Sequence, residues 1–143
     1  MPHVVAKLHS RSLSSEETRR ALRSLPRVLA ELVGETIVSA RYGWGSSLHA
    51  DLQYVPMRLT TAALERFVED SLAQEIVVPG SSDFCFVVGE RRLEILFCHE
   101  GDIHLDGDDP LLIERLQKSG YFAEIEFNPG IRARREGERD RRK

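Results

Sequence analysis

The sequence contains little cysteine, tryptophan or lysine, and it has no long apolar run. Its 143 residues include two cysteines, one tryptophan and three lysines, against 17 arginines. No stretch approaches the roughly 18 apolar residues that would span a bilayer, and no charged segment followed by an apolar one opens the chain as an export signal would. We therefore expect a cytoplasmic protein that does not enter a membrane. The preference for arginine suggests a GC-rich bacterial genome.

The two cysteines lie within apolar stretches and are expected to be buried. Cys85 stands between Phe84 and Phe86, and Cys98 follows Phe97. Because cytoplasmic proteins keep their thiols reduced, we interpret both residues as small hydrophobic side chains. A disulfide between neighbouring strands is the alternative interpretation.

Composition indicates one globular domain with an acidic body and a basic tail. Apolar residues make up 41% of the chain and charged residues 30%, which is typical of globular proteins. We expect a single α+β domain over residues 1–131 and a disordered, arginine-rich tail over residues 132–143, which has almost no apolar side chain to bury. The tail carries seven basic and three acidic residues, a local +4, which leaves −7 on residues 1–131 of a chain whose net charge is −3. An acidic body makes nucleic acid an unfavourable main partner, because phosphate contacts dominate that kind of affinity.

Three helices are predicted, mainly from their start signals. They cover residues 14–34, 60–74 and 109–119. Ser14 and Glu17 have the spacing of a capping box, and Asp109 followed by Pro110 places a carboxylate at the N-cap and proline at the first helical position. Pro26 lies inside the first helix and is expected to kink it or to divide it into two.

Segments rich in β-branched and aromatic residues predict the strands. They cover residues 3–8, 36–42, 48–55, 83–88, 92–98 and 121–127, with a short continuation at 103–105. Residues 83–88 and 92–98 should pair as a hairpin, and because both are apolar on two sides we expect them to be central and covered on both faces. The predicted fold is α+β: a mixed, mostly antiparallel sheet of about six strands with about three helices packed mainly on one face.

One dense polar cluster occupies residues 99–109. If the chain is extended there, Asp102, His104 and Asp106 point to one side, and His99 or Glu100 can approach from the preceding turn. Imidazoles and carboxylates together suit a divalent metal, so a metal-dependent hydrolase or lyase using His99, Asp102, His104 and Asp106 is one hypothesis. The spacing His-Glu-x-x-x-His is one residue longer than that of the helical zinc motif.

Two other interpretations of this cluster stay open. Asp102, His104 and Asp106 match early positions of a calcium loop, but Ile113 stands where that loop needs its bidentate glutamate. Residues 106–110 also suit a strand-to-helix turn whose carboxylates cap the helix. Asp102 and His104 would then be solvated residues on an exposed strand face.

Outside the cluster, Trp44 is the main candidate binding residue. It lies in residues 43–47, a predicted turn with two glycines, where an aromatic side chain can serve as an interface anchor or, alternatively, fill the core. No Gly-x-Ser-x-Gly or Walker motif occurs. Cys98 and His99 are adjacent, and adjacent side chains on a strand face opposite ways, so no nucleophile and base pair is predicted.

These patterns favour a non-enzymatic domain, without a cofactor, that binds another protein. The predicted partner has a basic surface, and the mode of action is that of an immunity or antitoxin-like inhibitor, guided by electrostatic attraction. The predicted contact residues are Trp44, Glu100, Asp102, His104, Asp106 and Asp108. The enzyme with a divalent metal is the alternative hypothesis, and nucleic-acid binding through the basic tail is the third. The sequence does not indicate an oligomeric state.

Overall fold

A computed structural model describes residues 6–130 of the chain. These residues form three α-helices and one seven-stranded sheet, which confirms the α+β prediction with one strand more than expected. Each neighbouring pair of strands is antiparallel. The predicted tail, residues 132–143, and the start of the first predicted strand lie outside the described residues. Within residues 6–130, no helix has the length and apolar character needed to cross a membrane.

The sheet places its central hairpin between two outer groups of strands. The strands are β1 (Ala6–Ser10), β2 (Ile37–Tyr42), β3 (Met57–Thr60), β4 (Phe84–Val88), β5 (Leu93–Phe97), β6 (Ile103–Gly107) and β7 (Phe127–Pro129). Their order across the sheet is β3-β2-β4-β5-β6-β1-β7. The predicted hairpin of β4 and β5 is confirmed, with Phe84 opposite Phe97 and Val88 opposite Leu93.

The helices begin where their capping signals predict. They are α1 (Ser15–Val33), α2 (Thr61–Ala73) and α3 (Pro110–Gln117). Ser14 and Glu17 form both hydrogen bonds of the capping box, and the Asp109 carboxylate accepts a hydrogen bond from the Leu112 backbone N–H. Pro26 lies inside α1, so the first helix is continuous rather than divided into two.

One face of the sheet forms the hydrophobic core with all three helices. Alternate residues of the central strands, such as Phe86 and Ile95, are fully buried and share one core cluster with Leu25 of α1, Leu64 of α2 and Leu116 of α3. The intervening residues point to the opposite side. We call that side the open face. It includes Cys85, Val87, Glu94, Leu96, His104 and Asp106.

The open face corrects the prediction that the hairpin is covered on both sides. Cys85 and Leu96 are half-buried rather than buried, and within residues 6–130 the helices pack only against the core face. Cys85 and Leu96 therefore lie at a partly exposed surface, whereas Val87 on the same side is only 7% exposed. Among residues 6–130, the single layer of helices lies on the core face.

The predicted strand at residues 48–55 is wrong. A short 3-10 helix, Ala50–Leu52, occupies its middle, and pairing with β2 starts only at Met57. Tyr54 has a φ of 65°, which an extended strand does not allow, and the side chain of Leu52 is exposed. The alternation of apolar residues in this segment therefore reflects a loop with exposed hydrophobic side chains.

The last predicted strand is also shorter and later than expected. Residues 120–124 form a second 3-10 segment, Gly120–Glu124, which buries Phe122 completely in the core. Only Phe127–Pro129 pairs with β1. Phe122 contributes to the apolar pattern that predicts a strand here, but it is buried from a 3-10 segment instead.

Candidate functional site

A groove of about 700 Å³ lies on the open face and is lined mainly by ionisable side chains. Five carboxylates and a single lysine, Lys7, are among the residues that line it. The carboxylates belong to Asp83, Glu94, Glu100, Asp102 and Asp106. Because negative groups outnumber positive ones, the groove should attract cations or positively charged groups.

The Asp83 carboxylate connects His99 and Tyr54 by hydrogen bonds at one end of the groove. Its Oδ1 accepts a hydrogen bond from the His99 backbone N–H at 2.8 Å and lies 2.8 Å from the His99 Nδ1. Its Oδ2 accepts a hydrogen bond from the Tyr54 hydroxyl at 3.1 Å. Because an ionised carboxylate can only accept, the Nδ1 of His99 carries the proton. The hydrogen bond to Asp83 raises the pKa of His99 above its ordinary value.

A second carboxylate and imidazole pair lies on the other side of Cys98. His104 Nε2 is 3.0 Å from Asp102 Oδ2, while Asp102 Oδ1 is buried and has no hydrogen-bond partner among the described residues. His104 also faces His9 of β1 across the sheet, and side chains directly opposite in antiparallel strands are close neighbours. Both histidines are half-buried, so the imidazoles line the groove without being sealed off.

The Cys98 thiol lies between these two pairs. β5 ends at Phe97, so Cys98 and His99 belong to a turn, and Cys98 Sγ approaches His99 Nδ1 to 4.0 Å. The prediction that the two side chains face opposite ways is therefore wrong, because the extended strand ends one residue before Cys98. Both cysteines are free thiols, so the alternative of a disulfide is also wrong.

Asp106 belongs to a different group of charges from the other predicted metal ligands. Its Oδ2 lies 3.3 Å from Arg91 Nη2 and 4.0 Å from Lys7 Nζ, and Arg91 also pairs with Glu94. The structure thus brings Asp102 and His104 together, places His99 with Asp83, and neutralises Asp106 with cationic side chains.

The remaining acidic residues of the cluster are more exposed. Glu100 and Asp108 are exposed, whereas Asp109 caps α3 and pairs with Arg92 at 3.0 Å. The capping interpretation is therefore confirmed for Asp109. Glu100 is the exposed carboxylate that lines the groove, and it is available to an external cation.

Trp44 lies beside the groove on a loop whose backbone is fixed on both sides. Its side chain is 59% exposed, and its ring centroid is 4.6 Å from that of His99. The Trp44 N–H donates to the Tyr54 hydroxyl at 3.1 Å, and its carbonyl accepts from the Asp83 N–H at 2.7 Å. A Cβ at Gly43 would lie 2.8 Å from the Tyr54 ring, so the loop needs glycine there. Trp44 is thus a surface residue in a loop held by hydrogen bonds, not a core residue.

Sequence reasoning missed Asp83 and His9 as members of this site. Asp83 was assigned to the start of a strand, and its partner His99 is 16 residues away, so no local spacing connects the two. His9 reaches the groove because β1 pairs with β6, a pairing that depends on the whole topology. The one available signal was Asp83 itself, an acidic residue at the start of an otherwise apolar segment.

The raised pKa values of the two thiols disfavour nucleophilic catalysis by either cysteine. Burial raises the pKa of the Cys98 thiol to about 11, and the nearby Asp102 and Asp83 carboxylates act in the same direction. Burial, assisted by Glu94, raises the pKa of Cys85 to about 12. A thiol that stays protonated at neutral pH is a poor nucleophile.

Comparisons with known protein families, curated proteins and solved structures find no match, so the geometry of the groove is the basis for a functional assignment.

Proposed function

We propose that this protein is a binding domain that docks a basic segment of another protein against Trp44 and the groove. The observation that carries the proposal is that Trp44 is 59% exposed while the backbone on both sides of it is fixed by hydrogen bonds. A residue whose backbone is already held in place loses less conformational entropy on binding than one in an unstructured loop. Such residues frequently dominate the affinity of protein interfaces.

The loop around Trp44 offers further apolar surface to a partner. Leu52, Tyr54 and Val55 are each about half exposed, and Tyr54 touches Trp44 through the hydrogen bond from the Trp44 N–H. Interfaces typically combine an apolar centre of this kind with a polar rim. We assign the centre to the 44–55 loop and the rim to the groove.

The charge of the groove determines the chemistry of the partner. Five carboxylates line it, of which Asp106 and Glu94 already pair with Lys7 or Arg91. The other three leave the groove acidic, and Glu100 is the exposed one among them. We infer that the partner presents lysine or arginine side chains next to an apolar pocket that receives Trp44. Inhibition of a basic bacterial protein, in the manner of an immunity or antitoxin-like protein, fits this chemistry, with Glu100, Asp102 and His104 in the contact. Asp106 is already paired with Arg91 and Lys7, and Asp108 is not among the residues that line the groove.

A comparison of matched baits tests this proposal. The full chain, Trp44→Ala and Leu111→Ala are immobilised and exposed to a lysate of the source organism; Leu111 is an equally exposed apolar residue on α3. We expect one protein to be retained by the wild type and by Leu111→Ala and lost from Trp44→Ala. With the purified partner, Trp44→Ala should raise the dissociation constant roughly 30-fold, which corresponds to a loss of about 2 kcal/mol of binding free energy.

Charge reversals then test the electrostatic part of the proposal. Glu100→Lys should slow association and make it less sensitive to salt, whereas Glu65→Lys, an exposed site on α2, should leave the association rate unchanged. The proposal fails if wild-type and Trp44→Ala baits retain the same proteins to the same extent. It fails equally if Glu65→Lys slows association as much as Glu100→Lys.

A further inference from the structure

We propose that Cys98, Asp102 and His104 form a binding site for a divalent cation of the zinc class. One ligand atom from each of these residues lies within 4.8 Å of the other two. Ligands of a tetrahedral zinc ion lie about 3.3–3.6 Å apart, given metal distances of about 2.0–2.3 Å. Small side-chain movements would therefore bring the three groups to coordination distance.

An unsatisfied oxygen supports this choice of ligands. Asp102 Oδ1 is buried and has no hydrogen-bond partner among the described residues, whereas buried carboxylate oxygens are normally paired. Its other oxygen already holds His104 at 3.0 Å. A cation between Cys98, Asp102 and His104 would satisfy Oδ1 and take the place of the contact with His104.

A neighbouring trio, Asp83, Cys98 and His99, has comparable spacing but is already occupied by its own hydrogen bonds. Asp83 Oδ1 accepts from the His99 backbone and faces its ring, and Asp83 Oδ2 accepts from Tyr54. Coordination there would break contacts that fix the loop of Trp44. We therefore infer that Asp83, Cys98 and His99 stabilise the loop of Trp44, and that the metal binds to the trio that contains Asp102.

The donor set selects the class of metal. A thiolate and an imidazole are softer ligands than calcium or magnesium prefer, and with one carboxylate they suit zinc. The thiolate and the carboxylate together neutralise a divalent charge, and coordination releases the thiol proton to solvent. Three protein ligands leave one tetrahedral position for water.

The experiment uses the full chain, stripped with a chelator and titrated with Zn²⁺ in competition with a chromogenic chelator. We expect one zinc ion per chain, bound at least roughly tenfold more weakly in Cys98→Ser and in His104→Ala. The matched controls are Cys85→Ser, the other free cysteine of the open face, and His49→Ala, an exposed histidine. Both controls should bind zinc as the wild type does.

Cobalt provides a readout that reports directly on the sulfur ligand. Co²⁺ bound to the wild type and to Cys85→Ser should show a near-ultraviolet charge-transfer band from thiolate to metal, and Cys98→Ser should lack it. Asp102→Asn, which is nearly isosteric, should weaken binding while leaving the circular dichroism spectrum unchanged, and this separates loss of a ligand from loss of folding. Failure of the wild type to retain stoichiometric zinc, or equal affinity in Cys98→Ser, overturns the proposal.

Discussion

Asp83→Ala should destabilise the protein by about 3 kcal/mol, because one carboxylate organises both the turn of His99 and the loop of Trp44. Asp83 is only 9% exposed, and its side chain takes part in three hydrogen bonds, two with His99 and one with Tyr54. A hydrogen bond to a charged group contributes about 1.5–3 kcal/mol. The full sum is not expected, because the His99 ring and the Tyr54 hydroxyl are partly exposed and can bind water after the substitution.

The isosteric change separates the role of charge from that of shape. Asp83→Asn keeps an acceptor for the His99 backbone N–H and a polar group for Tyr54, so we expect a loss of only about 1 kcal/mol. Asp70 provides a matched control: it is an exposed aspartate whose contact with Arg66 spans 3.9 Å. Asp70→Ala should change stability by less than about 0.5 kcal/mol.

Urea unfolding followed by two probes measures these effects. Circular dichroism reports on the whole domain, and the fluorescence of Trp44, the single tryptophan of the chain, reports on the loop. In a separate thermal unfolding experiment, a loss of about 3 kcal/mol of unfolding free energy should lower the melting temperature by roughly 10 °C in a domain of this size. If Asp83→Ala costs no more than Asp70→Ala, the carboxylate does not organise the site and the explanation given for the loop of Trp44 is wrong.

Three further predictions concern pH and backbone conformation. The protonated His99 ring quenches the neighbouring indole, so Trp44 fluorescence should rise with pH as His99 loses its proton, with a midpoint above 6.5. The stabilisation from His99 protonation is complete below pH 6.5 and is lost as the pH rises through the raised pKa of His99. The pKa of Glu17 is lowered from 4.5 to about 2, chiefly by Arg11, so its stabilisation is complete above pH 4.5 and is lost as the pH falls towards 2; Glu17→Gln should flatten the dependence of the urea midpoint on pH in this window. Gly45→Ala should lower the melting temperature more than Gly34→Ala, because both residues have positive φ, but only at Gly45 would the added Cβ collide with a backbone carbonyl oxygen.

Each of these predictions has an outcome that would contradict it. For the fluorescence titration it is a midpoint at or below 6.5, or a transition that survives in His99→Ala. For Glu17 it is an equal loss of stability between pH 4.5 and pH 2 in the wild type and in Glu17→Gln. For the glycines it is an equal change in melting temperature, which would mean that the loop of Trp44 can move away from its neighbour at no cost.

Elements with local signals were predictable from the sequence. The capping box of Ser14 and Glu17 and the pair Asp109 and Pro110 mark helix starts through contacts within one turn, and both are found where expected. The apolar hairpin of β4 and β5 was equally visible. Residues 48–55 were not, because an alternation of apolar residues describes an exposed loop and a half-buried strand equally well.

The candidate site was only partly predictable, because its geometry depends on one strand end and on long-range pairing. Ending β5 at Phe97 rather than at Cys98 decides whether the Cys98 side chain joins His99 or points away from it. Spacing alone placed Asp106 with His104, but Arg91, in the turn between β4 and β5, forms an ion pair with it. Strand ends and cross-strand neighbours of this kind follow from the packed fold rather than from any local pattern.

The two proposals share one turn of the chain, yet they predict opposite responses to the same pair of substitutions. Asp83→Asn loosens His99 and the loop of Trp44 but leaves Cys98, Asp102 and His104 in place, so it should weaken partner binding and spare zinc affinity. Cys98→Ser removes a metal ligand while the hydrogen bonds of Asp83 persist, so it should abolish the cobalt charge-transfer band and spare partner binding. If Asp83→Asn instead removed zinc binding, the metal would have to lie between Asp83, Cys98 and His99. Coordination there would compete with the hydrogen bonds that hold Trp44 in position, and zinc would then weaken docking by loosening the loop of Trp44.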